Sequence, residues 1–118
     1  MDSLADSMLK IETFCSERDW DQYHDPKELA IGLSTEANEL LDIFRFKREK
    51  DMIEILSRPE MRERVSQELA DIFFFLLRFA QHHHFDLLKA FEQKMIINEL
   101  KYPVDKARSS NRKYNDQE

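Results

Sequence analysis

The sequence predicts an all-α fold, and its composition and its hydrophobic spacing are the two observations behind this prediction. The 118 residues include one glycine and three prolines, and 36% of them are charged. A chain so poor in turn residues favours long helices over a turn-rich β fold. Its apolar residues recur every three or four positions, which is the helical period. A chain of this length fits one domain, residues 1–118, and self-association would enlarge its modest core.

The first helix is predicted to begin after Asp2 or Ser3 and to end near Arg18. Its apolar stripe consists of Leu4, Met8, Ile11 and Cys15. Cys15, the only cysteine, is predicted to be an inert buried thiol. Because one cysteine cannot form an internal disulfide, and no segment resembles a signal peptide or spans a bilayer, we expect a protein of the reducing cytoplasm with no membrane partner.

A second helix is predicted from Pro26 to about Lys47. Asp25 is a typical N-cap, Pro26 suits the first helical position, and Glu28 stands at the capping-box position. The following segment, residues 48–58, is charged with apolar residues interleaved. This pattern is compatible with either a loop or a short helix.

Ser57-Arg58-Pro59-Glu60 repeats the start signal, and the third helix is predicted to reach Phe79 or beyond. The apolar run at residues 72–77 predicts a central, largely buried helix. Three histidines follow at residues 82–84. We expect a solvated helix end there, because consecutive helical residues point about 100° apart and do not easily share one metal ion.

Asp86 is predicted to cap a fourth helix, which Pro103 stops. Its apolar residues are Leu87, Leu88, Phe91, Met95 and Ile96. The tail, from about residue 105 to residue 118, is polar and typical of a disordered end. The net charge of −6 offers no positive field for a nucleic-acid polymer or an anionic membrane, although a small anion carried with a metal is compatible with it.

Two carboxylate pairs stand where the helical pattern expects apolar residues. At about 100° per residue, one face of the second helix carries Leu29, Leu33, Leu40, Ile43 and Phe44. Glu36 falls in the middle of that face and Glu39 at its edge. On the third helix, Glu68 lies among apolar residues, with Asp71 one step further round. Both helices are therefore predicted to point a carboxylate pair at the core, and Gly32, one turn before Glu36, would leave room beside it.

The spacing within each pair suits a metal ion. Residues three apart on a helix lie on the same side, so their carboxylates can converge on one ion. Four facing carboxylates repel one another, and a buried carboxylate needs a compensating cation. Oxygen ligands without cysteine or histidine favour Mg²⁺, with Mn²⁺ as the alternative, over Zn²⁺. The competing interpretation is that these acids are ordinary surface residues, since glutamate is a common helix former.

Taken together, Glu36-x-x-Glu39 and, after 28 residues, Glu68-x-x-Asp71 resemble the metal signature of the MazG-like, all-α nucleoside triphosphate pyrophosphohydrolases. The flanking segments that share the resemblance are E-R-D-W-D-Q-Y-H at residues 17–24, E-L-A-D-I at 68–72, K-M-I-I-N at 94–98 and A-R-S-S-N-R-K-Y at 107–114. The resemblance covers residues 12 to 114 and is strongest to the dCTP pyrophosphatase branch of the family.

The resemblance implies a four- to five-helix bundle that assembles as a homodimer or homotetramer, with active sites near subunit contacts. It implies that the four acids bind Mg²⁺, which bridges the substrate triphosphate, and we assign Glu39 as the catalytic residue that orients or deprotonates water. The substrate-binding residues that it implies are Trp20, His24, Lys27, Phe46, Phe75, Lys94, Asn98, Arg112 and Lys113. For His24 a structural role, and for Trp20 a role as core anchor, are the alternatives.

At three positions the sequence departs from that branch. Ile11 stands where the branch has a histidine, Phe46 where it has a tryptophan, and Phe75 where it has a tyrosine. Losing an imidazole and a ring hydroxyl removes hydrogen-bonding groups, and such groups give strong discrimination between similar substrates. We therefore expect a substrate range that extends from dCTP to dATP or modified deoxynucleotides.

The expected reaction is (d)NTP and water to (d)NMP and diphosphate, in cleansing of the nucleotide pool. Two alternatives stay open: a hydrolase of the same family that acts on a modified nucleotide, and a non-enzymatic helical dimerisation or adaptor module. A di-iron carboxylate bundle is excluded, because it needs Glu-x-x-His pairs and the sequence has none.

Overall fold

The computed structural model describes residues 3–108, and these residues form helices and connecting segments without a strand. The helices are α1 (Leu4–Glu17), a single-turn 3-10 helix (Asp21–Tyr23), α2 (Pro26–Phe44), α3 (Glu49–Ser57), α4 (Pro59–His82), α5 (Leu87–Lys101) and α6 (Val104–Ala107). The predicted all-α fold is confirmed. No described helix is both long and apolar enough to cross a membrane.

Side-chain caps explain where three of the helices begin. The Ser3 hydroxyl accepts a hydrogen bond from the Asp6 backbone N–H, at 3.1 Å. The Asp25 carboxylate does the same for the N–H of Glu28 at 2.7 Å, and Asp86 caps α5 in the same way. Each cap satisfies a backbone donor that the first turn of a helix leaves free.

The structure differs from the predicted boundaries around α3. Helix α2 ends at Phe44 instead of Lys47, because Arg45 is extended and Phe46 takes a positive φ of 62°. The undecided segment is a helix, which Asp51 caps by accepting the Arg48 backbone N–H at 3.1 Å. Ser57 closes α3 and does not cap α4, since its hydroxyl donates to the Glu54 carbonyl.

The described chain divides into two compact units, residues 3–84 and 85–108. In the first unit α4 packs against α1, α2 and α3, as its predicted central position requires. The core is formed by Ile11, Cys15, Leu29, Ile43, Ile55, Leu77 and Ala80. The expectation that α4 is largely buried is wrong for the single chain, because Leu69, Phe73 and Leu76 are exposed. A core this small leaves much of the apolar surface uncovered.

The second unit contains α5 and α6, and none of its described residues is buried. Helix α6 falls partly within the predicted polar tail. Residues 109–118, with the predicted substrate-binding residues Arg112 and Lys113, lie outside the described part of the chain. The single-domain organisation stays a prediction.

Candidate functional site

Three carboxylates meet between α2 and α4. Glu36 and Glu39 come from α2 and Glu68 from α4, and one ligand oxygen from each lies within 4.8 Å of the others. Glu36 and Glu68 are half-buried, whereas Glu39 is exposed. Asp71 is exposed and outside this group of three, although its negative charge acts on Glu36. Three of the four predicted metal ligands are thus brought together, with the fourth close enough to influence them.

Two oxygens of this cluster are buried without a partner. Glu36 Oε2 and Glu68 Oε2 are shielded from solvent and accept no hydrogen bond in the described chain. A buried carboxylate oxygen without a donor is costly, because it loses its hydration and gains nothing in return. The helix pattern that places both acids in apolar stripes accounts for their burial. The described chain supplies no hydrogen-bond donor to either of these two oxygens.

The cluster also changes the acidity of Glu36. Burial raises the pKa of the Glu36 carboxyl from 4.5 to about 7. The proximity of the Glu39 and Glu68 carboxyl groups, and the negative charges of Glu39 and Asp71, raise this pKa as well. The physical reason is that a charge in a dehydrated, negative environment is disfavoured. In the metal-free protein the cluster therefore keeps a proton near neutral pH.

These donors fit a small, hard divalent cation. All are carboxylate oxygens, and two of the carboxylates have a buried oxygen that no donor of the described chain reaches. Oxygens that bind Mg²⁺ at about 2.1 Å are about 4.2 Å apart when opposite each other. Adjacent ligand oxygens are only about 3 Å apart, and three ligands include at least two adjacent pairs, so the present spread of at most 4.8 Å contracts by up to about 2 Å when an ion is held.

A connected set of aromatic side chains runs beside these helices. The Trp20 ring lies edge-on to Phe14, with centroids 5.5 Å apart, and Phe14 lies edge-on to Phe74 at 6.1 Å. Phe74 in turn meets Phe75 at 5.4 Å. The edge-to-face geometry suits the ring quadrupoles. Two predicted substrate-binding residues, Trp20 and Phe75, therefore belong to one aromatic row, which consists of Trp20, Phe14, Phe74 and Phe75.

The position of the Phe75 ring explains why residue 32 is a glycine, the only one in the chain. A Cβ built on Gly32 would lie 2.3 Å from Phe75 Cε1, so no side chain fits between the ring and α2. Gly32 does leave room, as expected, and the Phe75 ring occupies it. Phe75 follows Glu68 by two helical turns and Gly32 precedes Glu36 by one, so the ring lies near the carboxylates along both helices.

Arg78 is a residue that the sequence reasoning missed. It is 1% exposed, and all three guanidinium nitrogens are engaged. Nε donates to His24 Nδ1 at 2.8 Å, Nη1 donates to Gln81 Oε1 at 2.9 Å, and Nη2 forms an ion pair with Asp21. Gln81 also donates to the Met8 carbonyl of α1. A lone arginine within the apolar end of the third helix was the signal that could have found it.

His24 serves as an acceptor in this network. Burial lowers the pKa of the His24 imidazole, and the positive charge of Arg78 lowers it further. The ring is therefore neutral with the proton on Nε2, because Nδ1 accepts the hydrogen bond from Arg78. This geometry favours the structural alternative for His24. The ring remains edge-on to Trp20, with centroids 6.2 Å apart.

The expectation of a solvated helix end at residues 82–84 is wrong for two of the three histidines. His82 and His83 are half-buried, and their Nε2 atoms reach the carbonyl oxygens of Asp21 and His24, at 3.1 and 2.8 Å. A carbonyl only accepts, so each ring carries its proton on Nε2. Only His84 is exposed, with a positive φ of 64°.

The remaining predicted substrate residues are spread over the chain. Lys27 is exposed in the first turn of α2, and Phe46 is 91% exposed beyond its end, with the Arg45 guanidinium 4.9 Å from the ring centre. Lys94 and Asn98 lie on α5 in the second unit, and their role rests on the resemblance alone. Ile11, the position of the expected histidine, lines an apolar cavity of about 220 Å³ with Lys10, Phe14 and Phe74.

Comparison with known proteins places this arrangement in a family. The model of the MazG-like family matches residues 31–116. The chain therefore belongs to the MazG-like family, as the resemblance implied.

Individual relatives carry more specific names. The chain is 36% identical over 103 residues to dCTP pyrophosphatase 1 of Rattus norvegicus, which covers 87% of this chain and 61% of the relative. It is 38% identical over 101 residues to dCTP pyrophosphatase 1 of Homo sapiens, covering 86% and 59%. The chain thus spans about three fifths of the length of these relatives.

A solved structure supports the fold. The crystal structure of a pyrophosphatase from Archaeoglobus fulgidus is 33% identical and superposes with a TM-score of 0.78. The alignment covers 87% of this chain and 95% of that protein.

Proposed function

We propose that the protein is a metal-dependent nucleoside triphosphate pyrophosphohydrolase, which converts a (d)NTP and water into the monophosphate and diphosphate. The observation that carries this proposal is the pair Glu36 and Glu68, each with a buried oxygen that has no hydrogen-bond partner in the described chain. The names of the relatives support hydrolysis of a phosphoric anhydride bond. Cleansing of the cytoplasmic nucleotide pool is the cellular role that we infer.

Mg²⁺ is the ion that we propose for the cluster. Glu36, Glu39 and Glu68 are its direct ligands, and Asp71 completes the acidic set. When bound, the ion neutralises phosphate charge and polarises a bound water. The two orphaned oxygens make this site more than a group of surface acids, because surface acids are hydrated.

Glu39 is the residue that we assign to the attacking water. It is the exposed member of the cluster, so solvent reaches its carboxylate more readily than those of Glu36 and Glu68. A carboxylate within hydrogen-bond reach of the water can orient it and accept its proton. Glu36 and Glu68, held by the α2–α4 packing, keep the acidic surface in place.

The aromatic row is the surface that we propose for the base. Trp20 is 39% exposed, which leaves part of the ring for a ligand. Phe75 and the cavity beside Ile11 offer apolar contacts without hydrogen-bonding groups. The names of the relatives favour dCTP, and the absence of polar groups at Ile11 and Phe75 favours a range that includes dATP or modified deoxynucleotides.

Phe46 has a conformation that supports a functional role. A bulky residue at a positive φ of 62° is strained, and a 91% exposed ring gains little from packing that would offset the strain. Strained, exposed residues are characteristic of ligand-binding positions. We assign Phe46 to contact with the substrate base.

A homodimer or homotetramer is the assembly that we propose. It would cover Leu69, Phe73 and Leu76 on α4, which a single chain leaves exposed. The competing function is a non-enzymatic adaptor module, which would account equally well for the exposed apolar surfaces. It gives no use, however, to buried carboxylate oxygens without partners.

The test is incubation of the purified protein with each common dNTP and NTP and Mg²⁺, followed by anion-exchange separation. We expect monophosphate and diphosphate, with dCTP among the best substrates. Glu36→Gln should lose turnover by at least about a hundredfold, since it removes a metal ligand but not side-chain volume. Glu63→Gln, an exposed glutamate on α4, is the matched control with unchanged turnover.

Each other outcome contradicts a defined part of the proposal. Nucleoside diphosphate and phosphate as products would mean that a different bond is cleaved. Full activity in Glu36→Gln, with unchanged far-ultraviolet circular dichroism, would remove the metal site. No turnover of any common nucleotide would favour a modified nucleotide as the substrate or the adaptor module.

A further inference from the structure

The segment that joins α1 to α2 is fastened to the end of α4 at two residues. The side chain of Asp21 pairs with Arg78, and the carbonyl of Asp21 accepts from His82. His24 is also held by two hydrogen bonds. Its ring Nδ1 accepts one from Arg78, and its backbone carbonyl accepts the other from His83. Asp21 begins the single-turn 3-10 helix and His24 directly follows it, so both ends of this turn are attached to Arg78 and His82 of α4 and to His83, which follows α4.

Trp20 is the residue whose position depends on this attachment. It directly precedes Asp21, and its ring touches Phe14 on one side and His24 on the other. Its own backbone bonds are local, from its N–H to the Cys15 carbonyl and from the Tyr23 N–H to its carbonyl. Local bonds fix the turn itself, whereas the bonds to Arg78, His82 and His83 fasten it directly to the end of the helix that carries Glu68.

We propose that Arg78 is a positioning residue that holds Trp20 in place through Asp21 and His24 and thereby sets the affinity for the nucleotide. The substrate part of this inference rests on the proposed function, in which Trp20 contacts the base. Arg78 itself is 1% exposed and has all three nitrogens engaged within the protein, so it acts through the segment and not on the substrate.

The network needs an arginine and not merely a positive charge. The planar guanidinium directs separate N–H groups at His24, Gln81 and Asp21. A lysine ammonium is a compact point charge and cannot reach these three acceptors in the same fork geometry. Arg78→Lys should therefore restore only part of what Arg78→Met loses.

Trp20 gives a direct readout, because it is the only tryptophan in the chain. We would measure its emission maximum and its quenching by acrylamide, without substrate, in the wild type, Arg78→Met and Arg78→Lys. We expect a red shift and stronger quenching in Arg78→Met, with Arg78→Lys intermediate. Arg64→Met, an exposed arginine on the same helix, should leave both signals unchanged.

Steady-state kinetics with the best nucleotide supply the second readout. In Arg78→Met we expect KM to rise about tenfold with kcat within about twofold, because a binding contact is displaced while the carboxylates are untouched. Leu77→Ala is the control for general loss of stability, since this neighbouring residue is 1% exposed and its aliphatic side chain forms no hydrogen bonds. It should lower the melting temperature without the rise in KM.

The outcomes separate this inference from the proposed function. An unchanged Trp20 signal, or an equal rise of KM in Leu77→Ala, overturns the positioning role. Hydrolysis of no nucleotide by the wild type overturns the proposed function, while the fluorescence comparison still decides whether Arg78 places Trp20. If Arg78→Met does not fold, Asp21→Asn takes its place, because it weakens one bond at a side chain that is 55% exposed.

Discussion

Individual acidic residues are where sequence reasoning was most informative. The helical period places Glu36 and Glu68 in apolar stripes, and the structure finds both half-buried and close together. Their role as metal ligands stays a prediction. Arg78 was out of reach by the same reasoning, because its partners Asp21 and His24 lie more than fifty positions away in the chain. Periodicity tells which face is inward but not which distant residue meets it.

The acidity of Glu36 predicts a pH dependence of stability in the metal-free protein. Its pKa is about 7 in the folded chain against an ordinary 4.5, so the folded state favours the protonated acid. The stabilising contribution is complete below about pH 4.5 and is lost as the pH rises through about 7. We expect the melting temperature with chelator to fall between pH 5.5 and pH 8, and less so in Glu36→Gln. Equal falls in both proteins would exclude this origin.

The lowered pKa of His24 predicts a pH dependence of stability with the opposite sign, in which stability is lost at acid pH. Burial and the charge of Arg78 lower its pKa, with His82 and His83 acting in the same direction and Asp21 against them. The contribution is present above the ordinary pKa of 6.5 and is lost as the pH falls through the lowered value. His24→Asn keeps an acceptor but does not titrate. Urea unfolding at pH 7 and pH 5 should show a smaller acid loss in the variant than in the wild type.

At the scale of helices, local signals were reliable at starts and weak at ends. Asp25 and Asp86 cap as predicted, and Ser3 is the cap between the two residues after which the first helix was expected to begin, because a cap needs only the next three residues. The end of α2 was placed too late, because nothing in the local sequence demands the positive φ of Phe46. The contact between α2 and the Phe75 ring was equally hidden, since it depends on how two helices face each other.

Gly32→Ala should destabilise the protein despite the higher helix propensity of alanine. Propensity alone favours alanine by about 1 kcal/mol, but its Cβ would overlap the Phe75 ring. Overpacking of this kind costs about 1–3 kcal/mol, so the net effect is a loss. Chemical denaturation measures it. The double variant Gly32→Ala, Phe75→Leu should recover stability relative to Gly32→Ala, and failure to recover would mean that the ring is not the obstacle.

For the whole molecule, composition indicated the all-α class and the small core, but not the division into two compact units. Length and residue counts constrain how much surface a chain buries, yet they do not say which helices pack together. Within the second unit the apolar residues Leu88, Phe91, Ile96 and Leu100 are all exposed. Such surface is characteristic of chains that associate.

These exposed apolar residues predict that the protein associates with further copies of itself. Ile96→Glu should lower the mass measured by light scattering, because it places a charge on an apolar helix whose Ile96 is 61% exposed. Lys89→Glu, at an exposed charged position on the same helix, should leave the mass unchanged. A monomeric wild type at micromolar concentration would contradict the proposed assembly.

The orphaned oxygens of the acidic cluster have a further consequence for calorimetry. A site that holds a proton near neutrality must release it when a cation enters, so ion binding is an exchange of one charge for another. The heat measured on titration then contains the ionisation enthalpy of whichever buffer takes up the proton. Titrations in phosphate and in Tris would differ in apparent enthalpy, and the slope against buffer enthalpy would count the protons expelled.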